Sequence, residues 1–153
     1  MRKFIRGSLL IILPGTILFL LSCTQGSCFE ETESYLKASF YKNSILTAPD
    51  SLTLYGLNTD STIYNKTASI QPALIPLNAS TESCVFVIQI NGVVDTIEFQ
   101  YSSYPHLISK ECGYTFYHHL DTVPKYTQHV IDTIYVSNKT ITNLNVENLR
   151  IFY

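Results

Sequence analysis

The chain lacks several features that would assign it to a common class of protein. Its 153 residues include no tryptophan, one methionine and only 14% charged residues. From residue 35 onward, no segment keeps apolar residues at helical spacing for three turns, which argues against a helical fold. No apolar run reaches the roughly 20 residues that a membrane-spanning helix needs. The length suits one domain.

Motifs that carry chemistry are also missing. The sequence has no nucleophile elbow, phosphate-binding loop, paired acids or Cys-His pattern, so we predict no enzymatic activity, no catalytic residue and no cofactor. Of the four histidines, only His118 and His119 are adjacent, and neighbours on a strand point to opposite faces. We therefore predict no metal site.

The N-terminus predicts export. Residues 1–6 are basic, and residues 9–21 are apolar apart from an interruption at Pro14, Gly15 and Thr16. A basic start and a short apolar core are typical of a secretory signal, which we assign to residues 1–22. The alternative, a retained membrane anchor, is disfavoured by the short run and its Pro-Gly break.

The end of this signal resembles the lipobox of bacterial lipoproteins, with Leu20, Leu21 and small Ser22 before Cys23. The resemblance implies cleavage before Cys23 and attachment of a diacylglycerol to its thiol. Each buried acyl methylene contributes about 0.8 kcal/mol, so such an anchor holds the protein on the membrane permanently. The alternative is ordinary cleavage that leaves Cys23 for a disulfide.

Removal of the signal makes the chain more acidic. Losing Arg2, Lys3 and Arg6 takes the net charge from −2 to −5, which argues against nucleic acid as a partner. Residues 23–33 are polar, with Glu30, Glu31 and Glu33, and predict a lipidated tether rather than a calcium loop. We assign residues 34–153 to the folded domain.

Short runs rich in Thr, Tyr, Ile, Val and Phe fill the domain, separated by Asn, Asp, Gly, Pro and Ser. This pattern predicts an all-β fold, an immunoglobulin-like antiparallel β-sandwich of about seven to nine strands. The predicted strands are residues 35–41, 51–55, 62–65, 84–90, 93–101, 112–118, 130–136 and 149–153, with a proline-containing edge at 70–77 and a loop at 102–110.

The clearest local signal is Asn91-Gly92 between two β-rich runs, which favours a two-residue hairpin turn. This register places one apolar set on a single face: Cys84, Phe86, Ile88, Ile90, Val93, Ile97, Phe99 and Tyr101. Asp95 is the polar exception on that face, and we expect it near the open end of the hairpin.

Three cysteines remain after Cys23, and an oxidising compartment allows one disulfide among them. Spacing alone leaves the pairing open. Cys84 falls on the predicted core face, whereas Cys28 and Cys112 fall at the boundaries of elements.

Several stretches together resemble a family of small, uncharacterised Bacteroidetes lipoproteins. They are the Cys28 segment and residues 37–41, 75–77, 109–114 and 148–153. The family is known as a domain of unknown function, so the resemblance implies no activity. It does imply cysteines at Cys28 and Cys112, and on that basis we expect a Cys28–Cys112 disulfide with Cys84 buried and reduced.

All five aspartates precede Ser or Thr and then an aliphatic residue or Thr. This triplet resembles the O-glycosylation acceptor of exported Bacteroidetes proteins, and we expect at least one glycan. The alternative is that Asp starts turns and Ser or Thr starts strands. The acceptor positions are Ser51, Ser61, Thr96, Thr122 and Thr133.

The sequence thus predicts a membrane-anchored envelope lipoprotein, a non-catalytic structural or interaction module with a protein partner. Residues 24–27 carry no acid directly after Cys23, which favours an outer-membrane protein facing the periplasm over a surface-exposed one. The alternative function is a small-ligand or cation-binding lipoprotein that uses loop histidines and acids.

Overall fold

A computed structural model of the protein describes residues 28–59 and 61–153. The predicted signal and Cys23 lie outside the described residues. Within them the chain forms twelve strands: β1 (Tyr35–Lys42), β2 (Ile45–Leu46), β3 (Leu52–Gly56), β4 (Thr62–Thr67), β5 (Ala73–Pro76), β6 (Ser83–Ile90), β7 (Val93–Ser109), β8 (Gly113–Leu120), β9 (Lys125–Tyr126), β10 (Thr133–Val136), β11 (Thr140–Ile141) and β12 (Leu149–Phe152). In these two stretches of chain, no helix is long and apolar enough to cross a membrane.

The first sheet is built around β1. Strand β12 pairs with β1 in parallel and β10 pairs with β12, while β2 and β5 share the other edge of β1 in antiparallel register. Among the described strands, β5 pairs only with β1, and it carries Pro76, so the predicted proline-containing edge is confirmed. The sheet therefore joins the beginning and the end of the domain.

The second sheet has the order β11-β8-β7-β6-β3-β4, with β9 also pairing with β7. All of its pairs are antiparallel. Strand β7 is the longest, at 17 residues, and it contributes to pairings with three other strands. Strand β7 is therefore the central strand of the second sheet, as β1 is of the first.

The two sheets bury one shared core, as the alternation of apolar residues predicts. The first sheet contributes Leu36, Phe40 and Ile151, and the second contributes Ile88 and Phe99, all at most 1% exposed. The all-β sandwich class is therefore confirmed. The strand count exceeds the predicted seven to nine, because β2, β9 and β11 have two residues each and give no sequence signal.

The outer face of β1 is more covered than its polar residues predict. Lys37 and Ser39 are 8% and 7% exposed. The segment before β12 lies over them: the Lys37 ammonium donates to the Leu144 carbonyl at 2.8 Å, and the Asn148 side chain accepts from the Lys37 amide at 3.0 Å. Burial lowers the pKa of the Lys37 side chain.

The β6–β7 hairpin has the register predicted from its turn. Ile90 pairs with Val93, Phe86 with Ile97, and Cys84 with Phe99. Asn91 and Gly92 both adopt positive φ, at 50° and 93°, as this turn type requires. One detail is wrong: Val93, predicted on the core face, is 43% exposed although its partner Ile90 is buried.

The predicted loop at 102–110 is also wrong. Strand β7 continues to Ser109 and pairs with β8 from Tyr101 outward. We call residues 102–109 with residues 113–119 the arm. Beyond Gln100, β7 pairs with β8 alone among the described strands, and an open edge tolerates Pro105.

Two further strand predictions need adjustment. The segment between the predicted strands at 35–41 and 51–55 contains β2, which pairs with the end of β1. The predicted strand at 130–136 begins only at Thr133, because residues 127–131 form a loop around a buried carboxylate. That carboxylate belongs to Asp95.

Candidate functional site

The disulfide predicted from the family resemblance is confirmed. Cys28 is bonded to Cys112, with 4.8 Å between their Cα atoms. Cys112 occupies the turn at the tip of the arm, between β7 and β8. The N-terminal segment then contacts both the arm and the loop after β11: the Ser34 hydroxyl donates to the Phe116 carbonyl, and the Asn143 side chain donates to the Glu31 carbonyl at 2.9 Å. The start of the described chain is thus fixed to the tip of the arm.

Cys84 is the free cysteine within residues 28–59 and 61–153. It is half-buried, less than the full burial we predicted, and burial raises the pKa of its thiol to about 11. It lines a cleft of about 390 Å³ at one end of the sandwich, with apolar walls that include Leu57, Ile63, Leu77 and Phe86. The cleft falls within the size range of small-molecule pockets.

Asp95 has the densest set of polar contacts. Its carboxylate is 1% exposed and accepts from the Thr127 hydroxyl at 2.5 Å and from the amides of His129, Val130 and Ile131 at 2.8–3.1 Å. The His129 ring adds a contact from Nδ1 at 2.8 Å. This carboxylate therefore holds the loop between β9 and β10 against the β6–β7 hairpin.

Burial alone would raise the pKa of Asp95, but the hydrogen bonds from Thr127 and the loop amides outweigh it and hold the pKa well below its usual range. Its position corrects our prediction. Asp95 pairs with Ile88, near the Asn91-Gly92 turn, and not at the open end. Because both of its oxygens accept hydrogen bonds from protein donors, this carboxylate stabilises the fold.

The adjacent histidines separate as predicted. His118 is 2% exposed, with Nδ1 2.8 Å from the Ser103 hydroxyl, whereas His119 is exposed. Burial lowers the pKa of His118. His106 stacks on Tyr117 at 4.2 Å between ring centroids. No group of three or more potential metal ligands occurs in the part of the chain that the structure describes.

The predicted glycosylation positions differ in accessibility. Ser61, Thr122 and Thr133 are exposed, whereas Ser51 and Thr96 are half-buried. Thr96 also exchanges hydrogen bonds with Thr127, which lies beside it. Asp60, the residue before Ser61, lies outside the described residues.

A cluster of aromatic side chains surrounds Arg150 on the outer face of the first sheet. The Arg150 guanidinium lies 5.7 Å from the Tyr41 ring centroid and 5.9 Å from that of Tyr135. Its Nε donates to Glu147 at 2.6 Å, and Phe152 stacks on Tyr41 at 5.2 Å. We call these five residues the Tyr–Arg patch.

Strand register builds this patch. Arg150 pairs with Tyr135 and Phe152 pairs with Tyr41, so alternate residues of β12 point outward while Leu149 and Ile151 enter the core. The Tyr135 residue is 59% exposed and the Arg150 side chain 45%.

Glu147 holds the patch in place. It accepts from Arg150, from the Ser137 hydroxyl at 3.1 Å and from the Tyr41 hydroxyl at 3.2 Å. Burial opposes ionisation of Glu147, but hydrogen bonds from Arg150, Ser39 and Ser137 outweigh it and lower the pKa of Glu147. Sequence reasoning missed the patch. The alternation in residues 149–152 was the available signal, but nothing in the sequence indicates that this strand pairs with β1 and β10.

A sequence model of DUF6452, a family of unknown function, matches residues 51–153. The chain belongs to this family. The DUF6452 region contains β3 to β12, and with them Asp95, Cys112 and most of the Tyr–Arg patch, while β1 and Cys28 precede it. No curated protein and no solved structure matches the chain. Membership in DUF6452 therefore brings no activity, and function must be argued from the surfaces described above.

Proposed function

We propose that the chain is a lipid-anchored protein of the bacterial envelope whose sandwich domain is a non-catalytic protein-interaction module. The anchor is supported by the lipobox-like sequence that ends at Cys23. The domain faces the periplasm from the outer membrane, since acids are lacking directly after Cys23. An oxidising compartment is also where a disulfide such as Cys28–Cys112 persists.

The Tyr–Arg patch carries the interaction part of the proposal. Tyrosine and arginine are enriched at the centres of protein interfaces, where they supply most of the binding energy. Here Glu147 and the two flanking tyrosine rings hold the Arg150 side chain in place before any partner arrives. Binding would therefore order few side chains, which favours affinity.

Two observations support a non-catalytic role. The carboxylates with lowered pKa, Asp95 and Glu147, are engaged by protein donors. The described residues that line the cleft beside Cys84 include no charged side chain. A general base needs access to a substrate proton, and the oxygens of these carboxylates already accept hydrogen bonds from protein donors.

Co-purification from solubilised envelopes tests this function. A tagged wild-type chain is expected to bring down a stoichiometric partner, and Arg150→Ala is expected to weaken that complex by about 30-fold, the effect of losing roughly 2 kcal/mol at a hot spot. Tyr55→Ala removes an exposed tyrosine from the second sheet and serves as the matched control. The proposal fails if wild type recovers no partner, or if both variants bind like wild type.

A second candidate, small-ligand binding, is favoured by the apolar cleft beside Cys84. Its test is titration of the purified protein with the fluorescent probe N-phenyl-1-naphthylamine. Saturable binding of one probe per chain, abolished when Leu57→Trp fills the cleft, would support this function. Absence of saturable binding would exclude an apolar ligand of that size.

A further inference from the structure

The arm carries an apolar strip on one face. Pro105 pairs with Phe116 and Leu107 with Tyr114, and cross-strand partners share a face. Tyr114 is 73% exposed, and Leu107 and Phe116 are each 47% exposed. We call these four residues the arm strip. It continues the face that holds Tyr101 and Leu120 in the core.

The opposite face of the arm already has protein contacts. The Tyr117 ring packs between Tyr104 and His106, and its hydroxyl donates to Asn143 at 2.6 Å. Tyr117 is only 9% exposed as a result. Tyr104 on this face is also 42% exposed, so the arm strip is distinguished by its four adjacent apolar residues, and such a patch marks a surface that something else covers.

The disulfide and the short tether indicate what covers the arm strip. The Cys28–Cys112 disulfide fixes the chain to the arm tip, two residues before Tyr114. Cys23 precedes Cys28 by five residues, which can span at most about 18 Å when fully extended. A lipid on Cys23 would keep the arm tip within that distance of the bilayer surface.

We propose that the arm strip, together with Phe29, docks on the interfacial region of the bilayer to which Cys23 is anchored. This inference rests on the proposed lipidation of Cys23. Tyrosine and other amphipathic side chains favour the headgroup level, and Phe29 is 92% exposed beside the bridge. The charged groups nearby are mainly acidic, with Glu111 and three acids in the tether against Lys110, so a neutral rather than an anionic lipid surface is the fitting occupant.

Docking at the arm strip would orient the domain. Val94 lies at the other end of the same strand, 13 residues from Leu107, or roughly 40 Å along β7. The β6–β7 turn would then lie far from the membrane. Lipid contact is therefore expected at one end of β7 and not at the other.

The absence of tryptophan from the chain allows a direct test. Full-length protein processed in cells is reconstituted in phosphatidylcholine vesicles with or without brominated acyl chains, which quench tryptophan emission on contact. Tyr114→Trp is expected to be quenched. Phe116→Trp repeats the test at a second position, and Val94→Trp, also at an exposed residue, is expected to remain unquenched.

The outcomes distinguish failure of the proposed docking from failure of the proposed lipid anchor. Floating, lipidated protein in which neither Tyr114→Trp nor Phe116→Trp is quenched would overturn the docking inference while leaving the anchor intact. Blue-shifted emission without quenching would show that protein covers the arm strip, and equal quenching of Val94→Trp would contradict the orientation. Protein that neither floats nor carries lipid on Cys23 would overturn the proposed anchor and the docking together.

Discussion

Replacing Asp95 with asparagine is the most informative perturbation of this fold. The two side chains have the same shape, so the substitution changes charge and acceptor number without leaving a cavity. Asparagine keeps one acceptor oxygen, and its NH₂ group would face amide donors that now reach the second carboxylate oxygen, the amides of Val130 and Ile131. Two donors, the half-buried amide of Val130 and the buried amide of Ile131, would lose their partner.

The magnitude follows from those bonds. A hydrogen bond to a charged group contributes about 1.5–3 kcal/mol, so losing two would cost about 3–6 kcal/mol before relaxation. Because the Thr127–Ile131 loop can shift toward solvent, we expect a loss near the lower end, about 3 kcal/mol. With a urea slope of about 2 kcal/mol/M, the unfolding midpoint would fall by about 1.5 M.

Acid should reduce the difference in unfolding free energy between wild type and Asp95→Asn. The pKa of Asp95 is lower in the folded state than the unfolded value of about 3.9, so the folded state binds fewer protons. The stabilisation is therefore complete above that unfolded pKa and is lost as pH falls through the folded pKa. The gap between wild type and Asp95→Asn should narrow below about pH 4, since asparagine does not titrate.

Urea unfolding followed by circular dichroism at pH 7 and at pH 3 measures both effects. Asp132→Asn is the matched control, because Asp132 begins a triplet of the same kind, Asp-Thr-Ile, with an exposed side chain. It should change the free energy of unfolding by less than about 0.5 kcal/mol. Equal midpoints for Asp95→Asn and wild type at pH 7 would refute the structural role of this carboxylate.

Three more predictions concern the cysteines and the Asp-Ser/Thr triplets. Reducing the Cys28–Cys112 bridge, which closes 84 residues, should lower the free energy of unfolding by about 2–4 kcal/mol, and an unchanged urea midpoint would contradict this. Cys84, with its pKa raised to about 11, should react with Ellman's reagent at pH 8 far more slowly in the native protein than in urea; equal rates would contradict its burial. If the exposed positions are glycosylated, replacing Asp121 and Asp132 with alanine should increase gel mobility, whereas Asp95→Asn alone should leave it unchanged; equal mobility of the double variant and wild type would argue against glycans there.

Local signals predicted the parts of the fold that depend on neighbours in the chain. The Asn91-Gly92 turn determines the register of β6 and β7, because a slip of one residue would move Phe86 and Ile97 off the core face. The prolines near β5 indicated an edge for the same local reason, since proline cannot donate to a ladder.

The missed features depend on contacts distant in sequence. Asp95 looked misplaced on an apolar face because its donors come from residues 127–131, about 35 positions later. Pro105 suggested a loop, since nothing in residues 102–110 shows that β7 has an open edge there. The Tyr–Arg patch likewise needs the parallel pairing of β1 with β12, which joins opposite ends of the domain.

The lipid anchor is the central claim, because the proposed envelope partner and the membrane docking of the arm strip both depend on it. Mass spectrometry of the reduced tryptic peptides from envelope-purified protein tests it directly, since Arg6 and Lys37 are the cleavage sites that flank Cys23. We predict a peptide of residues 23–37 that carries a diacylglyceryl group on Cys23. A peptide of residues 7–37, or an N-terminal Cys23 without lipid, would contradict the account.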